Sequence, residues 1–322
     1  MKRRTYLTSA AATGGLLFSA GCLSSSDVGD YPSDDIRWVI PWSSGGGTDR
    51  TTRQLIELVE SESEFTFVAD NVTGSGGANG MIDISGSEPD GYTIGTISPN
   101  MVILPQAQDV ELHPDDFEAV AQYNFDAAAV TVHEDAPFDT FDEFISYAED
   151  NPGEIQFGSG GVNSAFHLAG EGLGYNAEIE LEHVPYDGIA PATTAVLNGE
   201  IDVTTGSVPE VFPQVRDGPL EVLAVMSEER HPLVENAPTL IEEGIDWTAG
   251  VWRGVVAPSD TPEEVIERLE EELAAVIESE QFEDYMEENG FGVRYRDSTE
   301  FEEFIRDQYD EYGDVIDSIE ID

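Results

Sequence analysis

Three glycine-rich segments hold the residues whose types and spacing best suit the binding of a small anion. Each follows an apolar run of strand length and precedes a segment with helical periodicity: residues 41–49, 74–80 and 158–164. Glycine lets a backbone approach a ligand closely. The first N–H groups of a helix have no partner inside the helix and favour an anion. With serine, threonine and asparagine side chains as further neutral donors, such segments can hold a carboxylate.

The same segments argue against two kinds of enzyme site. None of them fits G-x-G-x-x-G, which disfavours dinucleotide binding, and none fits G-x-S-x-G, which disfavours a hydrolase nucleophile. We therefore interpret their serines as hydrogen-bond donors. A single glycine-rich segment is often only a tight turn, so the prediction depends on having three. Asp49 is expected to cap its helix or to pair with Arg53, and direct contact with a ligand is the less favoured alternative.

Metal and cofactor chemistry finds little support. His167 and Glu171 are four residues apart on a predicted helix, but no third metal ligand is evident, so we expect His167 to pack or to form hydrogen bonds. Lys2 is the only lysine, which excludes a phosphate-binding Walker loop or a pyridoxal Schiff base in the remaining chain. We expect no metal, no cofactor and no catalytic residue. Trp42 and Trp252 are candidates to line a cleft, although core packing suits Trp252 equally well.

The charge is extremely acidic. The chain has 13 basic and 67 acidic residues and a net charge of −54. Such a surface repels itself in ordinary salt, whereas at about 1 M salt the screening length falls to about 3 Å. The acidity therefore indicates a halophilic protein. Nucleic acid is excluded as a partner because no basic surface is available for phosphates.

The N-terminus has the pattern of an export signal. Lys2, Arg3 and Arg4 precede a short apolar stretch, and Cys22, the only cysteine, follows small residues. This order predicts a twin-arginine lipoprotein signal peptide over residues 1–21. Cys22 is the predicted lipidation site, and two acyl chains there would anchor the protein stably. Residues 22–35 are polar and rich in turn formers, so we expect a flexible tether.

Strand-like and helical segments alternate along the rest of the chain, which predicts α/β architecture with mostly parallel sheets. The predicted strands cover residues 36–41, 65–69, 92–97, 127–132, 155–158, 184–186 and 220–226; the predicted helices cover 48–60, 79–85, 141–149, 164–175, 190–198 and 262–279. The absence of a low-complexity linker favours two lobes between which the chain crosses twice.

Seven motifs in this order resemble the receptors of tripartite tricarboxylate transporters, the TctC or Bug family, over residues 36–315. They lie at residues 41–53, with Arg53 last, and at 71–80, 89–93, 158–168, 184–188, 238–240 and 252–254. The resemblance implies a type II periplasmic-binding-protein fold with two α/β lobes and a ligand cleft between them. On that fold, residues 36–125 and 228–322 would form lobe 1 and residues 126–227 lobe 2.

The resemblance also implies a carboxylate ligand held mostly by neutral donors. The residues carried over to ligand binding are Ser43, Ser44, Gly45, Gly46, Thr48 and Asp49 in the first segment, Ser159, Gly160, Asn163 and Ser164 in the third, Tyr186 and Asp187 nearby, and Ser75 and Ser98 as weaker candidates. Asp187 stands where the family usually has lysine. This difference reflects either the general loss of lysine or a less anionic ligand.

In function, the resemblance implies an extracytoplasmic solute-binding protein. We expect it to be a monomer, anchored at the outer face of the cytoplasmic membrane through Cys22. Its expected partners are a small mono-, di- or tricarboxylate and the large and small membrane subunits of the transporter. Two alternatives stay open: a surface sensor, and a secreted hydrolase using Ser43 or Ser159. The hydrolase would need a histidine within about 3 Å of the nucleophile, and distant histidines would remove it.

Overall fold

The computed structural model describes residues 31–42, 44–108, 110–186 and 188–318. The predicted signal peptide, the lipidation site Cys22 and two candidate ligand-binding residues, Ser43 and Asp187, lie outside these residues. The elements described below belong to one compact unit.

Eleven strands are present in the described part of the chain. In chain order they are β1 (Ile36–Ile40), β2 (Phe67–Asn71), β3 (Thr93–Ile97), β4 (Phe117–Ala127), β5 (Ala129–His133), β6 (Gln156–Ser159), β7 (Glu182–Pro185), β8 (Val203–Thr204), β9 (Leu220–Val225), β10 (Gly250–Pro258) and β11 (Val293–Arg296). They form a six-stranded sheet with the order β11-β4-β10-β3-β1-β2 and a five-stranded sheet with the order β7-β6-β8-β5-β9.

Ten α-helices of the described residues pack around these sheets. They are α1 (Gly47–Glu62), α2 (Ala78–Ser85), α3 (Asn100–Ala107), α4 (Phe141–Asp150), α5 (Ala165–Ala177), α6 (Ile189–Leu197), α7 (Val208–Asp217), α8 (Glu263–Ile277), α9 (Glu280–Glu288) and α10 (Ser298–Ser318). None of them combines the length and the apolar character needed to cross a membrane. The fold is therefore of the predicted α/β class.

The expectation of mostly parallel sheets is wrong. β1 pairs in parallel with β2 and β3, and β6 pairs in parallel with β7 and β8, but the other neighbouring strands run antiparallel. The reason lies in how the chain passes between the two sheets. β4 carries the chain out of the six-stranded sheet and β10 brings it back, so these two adjacent strands must run in opposite directions.

The strand predicted over residues 127–132 is in fact the junction of two strands. β4 ends at Ala127 in the first sheet and β5 begins at Ala129 in the second. Between them, the Ala128 N–H donates to the Ala249 carbonyl, which immediately precedes β10. The outgoing and returning segments are thus hydrogen-bonded at the place where the chain changes lobes.

The C-terminal helix α10 joins the cores of both lobes. It packs against β4 and α3 on one side and against α5 on the other. Its Tyr312 ring meets the edge of Trp247, whose Nε1–H donates to the Ala169 carbonyl of α5 at 3.2 Å. Trp252 is fully buried against Phe301 and Phe304 of α10. It is therefore a core residue and does not line a cleft.

Candidate functional site

The parallel strands of the two sheets determine where the glycine-rich segments lie. Because β1, β2 and β3 run in parallel, the first and second glycine-rich segments and Ser98 all leave the sheet at the same edge. In the same way, the third segment and Tyr186 leave one edge of the second sheet after β6 and β7. Carboxyl ends of parallel strands are where open α/β sheets bind ligands. The topology thus gives each lobe one edge suited to a ligand.

Asp49 organises the first segment. Its carboxylate accepts hydrogen bonds from the Gly45 N–H at 2.8 Å, from Arg53 Nε at 2.8 Å and from Asn71 Nδ2 at 2.9 Å. The Ser44 hydroxyl adds a longer contact of 3.4 Å. The predicted pairing with Arg53 is therefore present, and the side chain of Asp49 is buried among groups of its own lobe. The Gly45 N–H, counted among the ligand donors, is already occupied by Asp49.

Burial disfavours the charged form of Asp49, but the hydrogen bonds from Gly45, Asn71 and Arg53 outweigh it. The pKa of Asp49 consequently lies below its ordinary value of 3.8. The ionised carboxylate can then hold the segment in place at neutral pH. Meanwhile Ser44, Gly45 and Gly46 remain exposed, so the loop presents backbone toward solvent at the start of α1.

The start of α1 contains donors that the helix itself does not use. Gly46 precedes the helix, and the Arg50 N–H makes the first helical hydrogen bond to its carbonyl. Among the residues that the structure describes, no side chain caps this end of the helix. The N–H groups of the first turn, including that of Thr48, therefore suit an anion in the way the sequence predicts.

Arg253 of β10 lies beside this helix start, and sequence reasoning missed it as a site residue. Its Nε donates to Thr48 Oγ1 at 3.1 Å, and its Nη1 donates to Asp126 Oδ2 at 2.8 Å and to Asn124 Oδ1. Its guanidinium also lies over the ring of Phe291. The signal was present, because arginine is scarce in this chain and Arg253 falls within one of the seven motifs.

An acidic residue from the other lobe also approaches this arginine. Glu210 of α7 accepts the Ser207 hydroxyl at 2.7 Å. Burial, together with repulsion from Asp126, raises the pKa of Glu210 against the opposing effects of Ser207 and Arg253. Arg253 and Asp126 thus form a buried ion pair, and Glu210, whose charged form is disfavoured by burial, is close enough to interact electrostatically with both.

The second segment packs against the first mainly through apolar surface. A Cβ on Gly77, which has a φ of +99°, would lie 3.1 Å from Trp42, and one on Gly80 would lie 2.8 Å from Pro41. The Asn100 side chain donates to the Gly76 carbonyl at 2.7 Å. Ser98 is buried and Ser75 adopts a left-handed φ of 48°. No described contact joins either serine to the donors of the first segment.

The third segment contains a second ordered helix start. Ser164 caps α5, and its Oγ accepts the His167 N–H at 3.2 Å. The Asn163 N–H donates to His167 Nδ1 at 3.1 Å, so His167 carries its proton on Nε2, which faces Glu171 at 3.4 Å. Asn163 has a left-handed φ of 59°, and its Oδ1 is buried with no hydrogen-bond partner among the described residues. The Asn163 amide is therefore a candidate to meet a ligand.

Ser159 and His183 form a contact that the sequence did not predict. Ser159 Oγ lies 2.7 Å from His183 Nε2, and the Ser159 side chain is fully buried. His183 stacks against His167, with ring centroids 3.9 Å apart. Burial, and then repulsion from His167, lowers the pKa of His183 to about 4. The hydrolase alternative would have been removed if every histidine lay far from Ser159. Because His183 is within hydrogen-bonding distance, distance alone does not remove it.

Tyr186 closes the third segment from the side of β7. Its N–H donates to the Ser159 carbonyl at 3.1 Å. A Cβ on Gly158 would lie 3.1 Å from the Tyr186 ring and 2.5 Å from Ile201, so only glycine fits beneath the ring. A Cβ on Gly160 would make only ordinary contacts, at 3.7 Å to Gly188 and 3.8 Å to the Ser164 hydroxyl, and one on Gly161 would lie 3.7 Å from the Tyr186 carbonyl. Gly160 and Ser164 therefore lie close together, beside the glycines that Tyr186 contacts.

A cavity of about 400 Å³ lies on another part of the molecule. It is lined by Phe125, residues 227–233, Phe304 and residues 290–294. It shares Phe291 with the surroundings of Arg253, but it contains none of the candidate residues of the glycine-rich segments. Volume singles out this cavity, which is lined by charged as well as apolar residues, whereas helix starts and free donors single out the segments.

Comparison with known proteins identifies relatives of this chain. A family model described as "Tripartite tricarboxylate transporter family receptor" matches residues 51–321. A UPF0065 protein from the tcbD-tcbE intergenic region of Pseudomonas sp. (strain P51) is 31% identical over 77% of this chain and 75% of its own length. The protein BugT of Bordetella pertussis is 26% identical, with 84% of each chain covered.

Two solved structures extend the comparison. The crystal structure of a TctC solute-binding protein from Polaromonas, with no ligand, superposes with a TM-score of 0.85 at 30% identity and covers 90% of this chain and all of that one. A structure of an R. palustris protein with adipate has a TM-score of 0.71 at 25% identity and covers 89% of this chain and 98% of that one. The two-lobed fold is therefore that of these binding proteins.

Proposed function

This chain belongs to the family of tripartite tricarboxylate transporter receptors, and we propose that it captures a small organic carboxylate outside the cell and delivers it to a membrane transporter of that type. The observation that carries the carboxylate is the pair of helix starts, at α1 and α5, each following a parallel strand and each with neutral donors. Such groups stabilise an anion without lysine. The adipate bound by the R. palustris relative supports the same ligand class.

The test is a binding panel at high salt. Adipate, succinate, citrate, aspartate and neutral aromatic amides would be added to the purified protein, and its thermal unfolding followed. A ligand that binds only the folded state stabilises it by RT ln(1 + L/Kd), where L is the free ligand concentration, so the unfolding temperature rises with the logarithm of the ligand concentration above Kd. We expect at least one carboxylate to do so and the amides not to. Binding of neutral compounds alone would overturn the carboxylate assignment.

We assign the ordering of the third segment, not catalysis, to the contact between Ser159 and His183. A general base works best with a pKa near the working pH, whereas the pKa of His183 is about 4. Ser159 Oγ is also buried, so an attacking position is not open to substrate. Turnover of p-nitrophenyl esters that is abolished by Ser159→Ala would contradict this assignment and favour the hydrolase alternative. A surface sensor differs only in its partner and would bind the same ligand.

The transporter partners of this protein are the large and small membrane subunits that the family implies, and we place it at the outer face of the cytoplasmic membrane. Lipidation of Cys22 would keep it beside those subunits. Cys22→Ser should release the protein to the medium and leave carboxylate affinity unchanged. Retention of the variant in the membrane fraction would refute the anchor, and altered affinity would refute the separation of tether and site.

A further inference from the structure

We propose that Arg253 is the charged contact for an ionised ligand carboxylate at the start of α1, and that it makes the site selective for acids over their amides. This inference rests on the proposed function and adds a residue that determines specificity. The carboxylate would lie between the N–H groups of the first turn of α1 and the Nη2 group of Arg253, with the Thr48 hydroxyl as a further donor.

The hydrogen bonding of the Arg253 guanidinium favours this ligand contact. Nε and Nη1 are held by Thr48, Asn124 and Asp126, but Nη2 has no acceptor among the described residues, which leave out Ser43 of the same loop. The Arg253 side chain is only 9% exposed. A nearly buried guanidinium with a free N–H edge is costly unless that edge meets an acceptor or water. A carboxylate supplies the strongest acceptor available to it.

The position of the Arg253 Nη2 group also favours this contact. A Cβ built on Gly47, the first residue of α1, would lie 3.1 Å from Nη2 and 3.3 Å from the Phe291 ring. The free edge of Arg253 is therefore aimed at the helix start, where the dipole also favours an anion. The backbone of Gly47 does not have a positive φ. Glycine at this position thus keeps the approach to Nη2 open and is not required by the turn.

The Arg253 side chain is also held rigidly by its neighbours. Asp126, which holds Nη1, itself accepts the Gly292 N–H at 2.8 Å, and Phe291 lies against the guanidinium from the side of α9. The arginine is therefore fixed before a ligand arrives, which reduces the entropy lost on binding. Since Nε donates to Thr48 Oγ1, the hydrogen of the Thr48 hydroxyl is left to point elsewhere. Thr48 is thus oriented as a donor.

The experiment compares acids with their amides in matched variants. Binding of adipate, its monoamide and its diamide would be measured by calorimetry at high salt for the native chain, for Arg253→Gln and for the double variant Asp126→Asn with Arg253→Gln. The double variant removes both charges of the pair, so that no buried carboxylate is left unpaired. Arg216→Gln is the control, because it loses the same charge from an exposed pair with Asp217.

We expect the native chain to prefer adipate over the diamide, and both variants lacking Arg253 to lose about tenfold or more in adipate affinity and most of that preference. Gly47→Ala should weaken adipate in the same direction by obstructing Nη2. Arg216→Gln should bind as the native chain does. Circular dichroism would verify that each variant is folded.

The outcomes separate the two proposals. If the native chain binds adipate, and the folded double variant binds it within about twofold, the role of Arg253 is refuted while carboxylate binding stands. If the native chain binds none of adipate, succinate, citrate and aspartate, the proposed function itself fails. If the double variant is unfolded, Gly47→Ala decides, and unchanged affinity in that variant refutes the inference.

Discussion

At the scale of single residues, Asp49 shows how a buried carboxylate can hold a binding loop in place. Asp49→Asn keeps the shape but removes the charge that accepts the Gly45 and Arg53 donors. We expect a loss of about 1–3 kcal/mol in the free energy of unfolding at neutral pH, measured by urea titration. Because the folded pKa lies below 3.8, this contribution is complete above pH 3.8 and is lost as the pH falls below it.

The comparison for Asp49 is Asp217→Asn, which disrupts an exposed pair and should cost little. The stability difference between the native chain and Asp49→Asn should shrink as the pH falls below 3.8. A difference that stays constant through this range would mean that the Asp49 carboxylate is not the stabilising group.

His183 gives a pH dependence in the same direction as Asp49, but at higher pH. Its folded pKa of about 4 lies below the ordinary value of 6.5, so the unfolded chain takes up the proton first. The stability provided by neutral His183 is therefore complete above pH 6.5 and declines as the pH falls from 6.5 toward 4. His183→Gln, which can still bond Ser159, should lose less stability over this interval.

Chemical unfolding at pH 7, 5.5 and 4, values chosen about the two pKa limits, would measure this difference. His133→Gln serves as the matched histidine variant, because His133 lies at the end of β5 and its side chain contacts Asp135 of the following turn. Parallel pH profiles for the native chain and His183→Gln would show that the His183 environment does not disfavour its charged form.

At the scale of elements, two helix caps of the same kind allow effects on stability and on ligand binding to be tested separately. Ser164 caps α5 at the proposed site, and Thr140 caps α4 away from it through an equal 3.2 Å bond to the Glu143 N–H. Replacing either with alanine should cost about 1 kcal/mol of stability. Only Ser164→Ala should also weaken carboxylate binding, since it alone orders a helix start among the candidate donors.

Thermal unfolding and calorimetry on the two cap variants would test this expectation. Equal effects of Ser164→Ala and Thr140→Ala on affinity would mean that the α5 start acts through general stability and not through the ligand. Unchanged affinity in both would remove α5 from the site.

At the scale of the whole molecule, the net charge of −54 dominates. Mutual repulsion of this size destabilises the compact state unless salt screens it. We expect the unfolding temperature to rise steeply between low and molar sodium chloride. Low concentrations of guanidinium chloride, a salt, should first stabilise the protein, whereas urea, which is uncharged, should only destabilise it. Equal destabilisation by both at low concentration would argue against the inferred adaptation to high salt.

The sequence predicted well the features that depend on nearby residues. Apolar runs predicted the strands β1, β3 and β6. The helices α1, α2 and α5 begin within two residues of their predicted starts. The ion pair between Asp49 and Arg53 followed from their spacing of four on a helix. The acidic helices α9 and α10 were missed, although Phe301, Ile305, Tyr312 and Ile316 lie at helical spacing along α10.

By itself, then, the sequence determined the α/β class, the family, the acidic surface and the order of the glycine-rich segments, since these depend on composition and on local pattern. The tertiary structure alone decided the antiparallel return of β10, the 2.7 Å contact between Ser159 and His183, and the placement of Arg253 against Thr48, 205 positions away along the chain. The return of β10 and the contact of Arg253 with Thr48 depend on the crossing of the chain between the two lobes, and the contact of Ser159 with His183 depends on the pairing of β6 with β7. Local periodicity contains no information about which strand returns beside which.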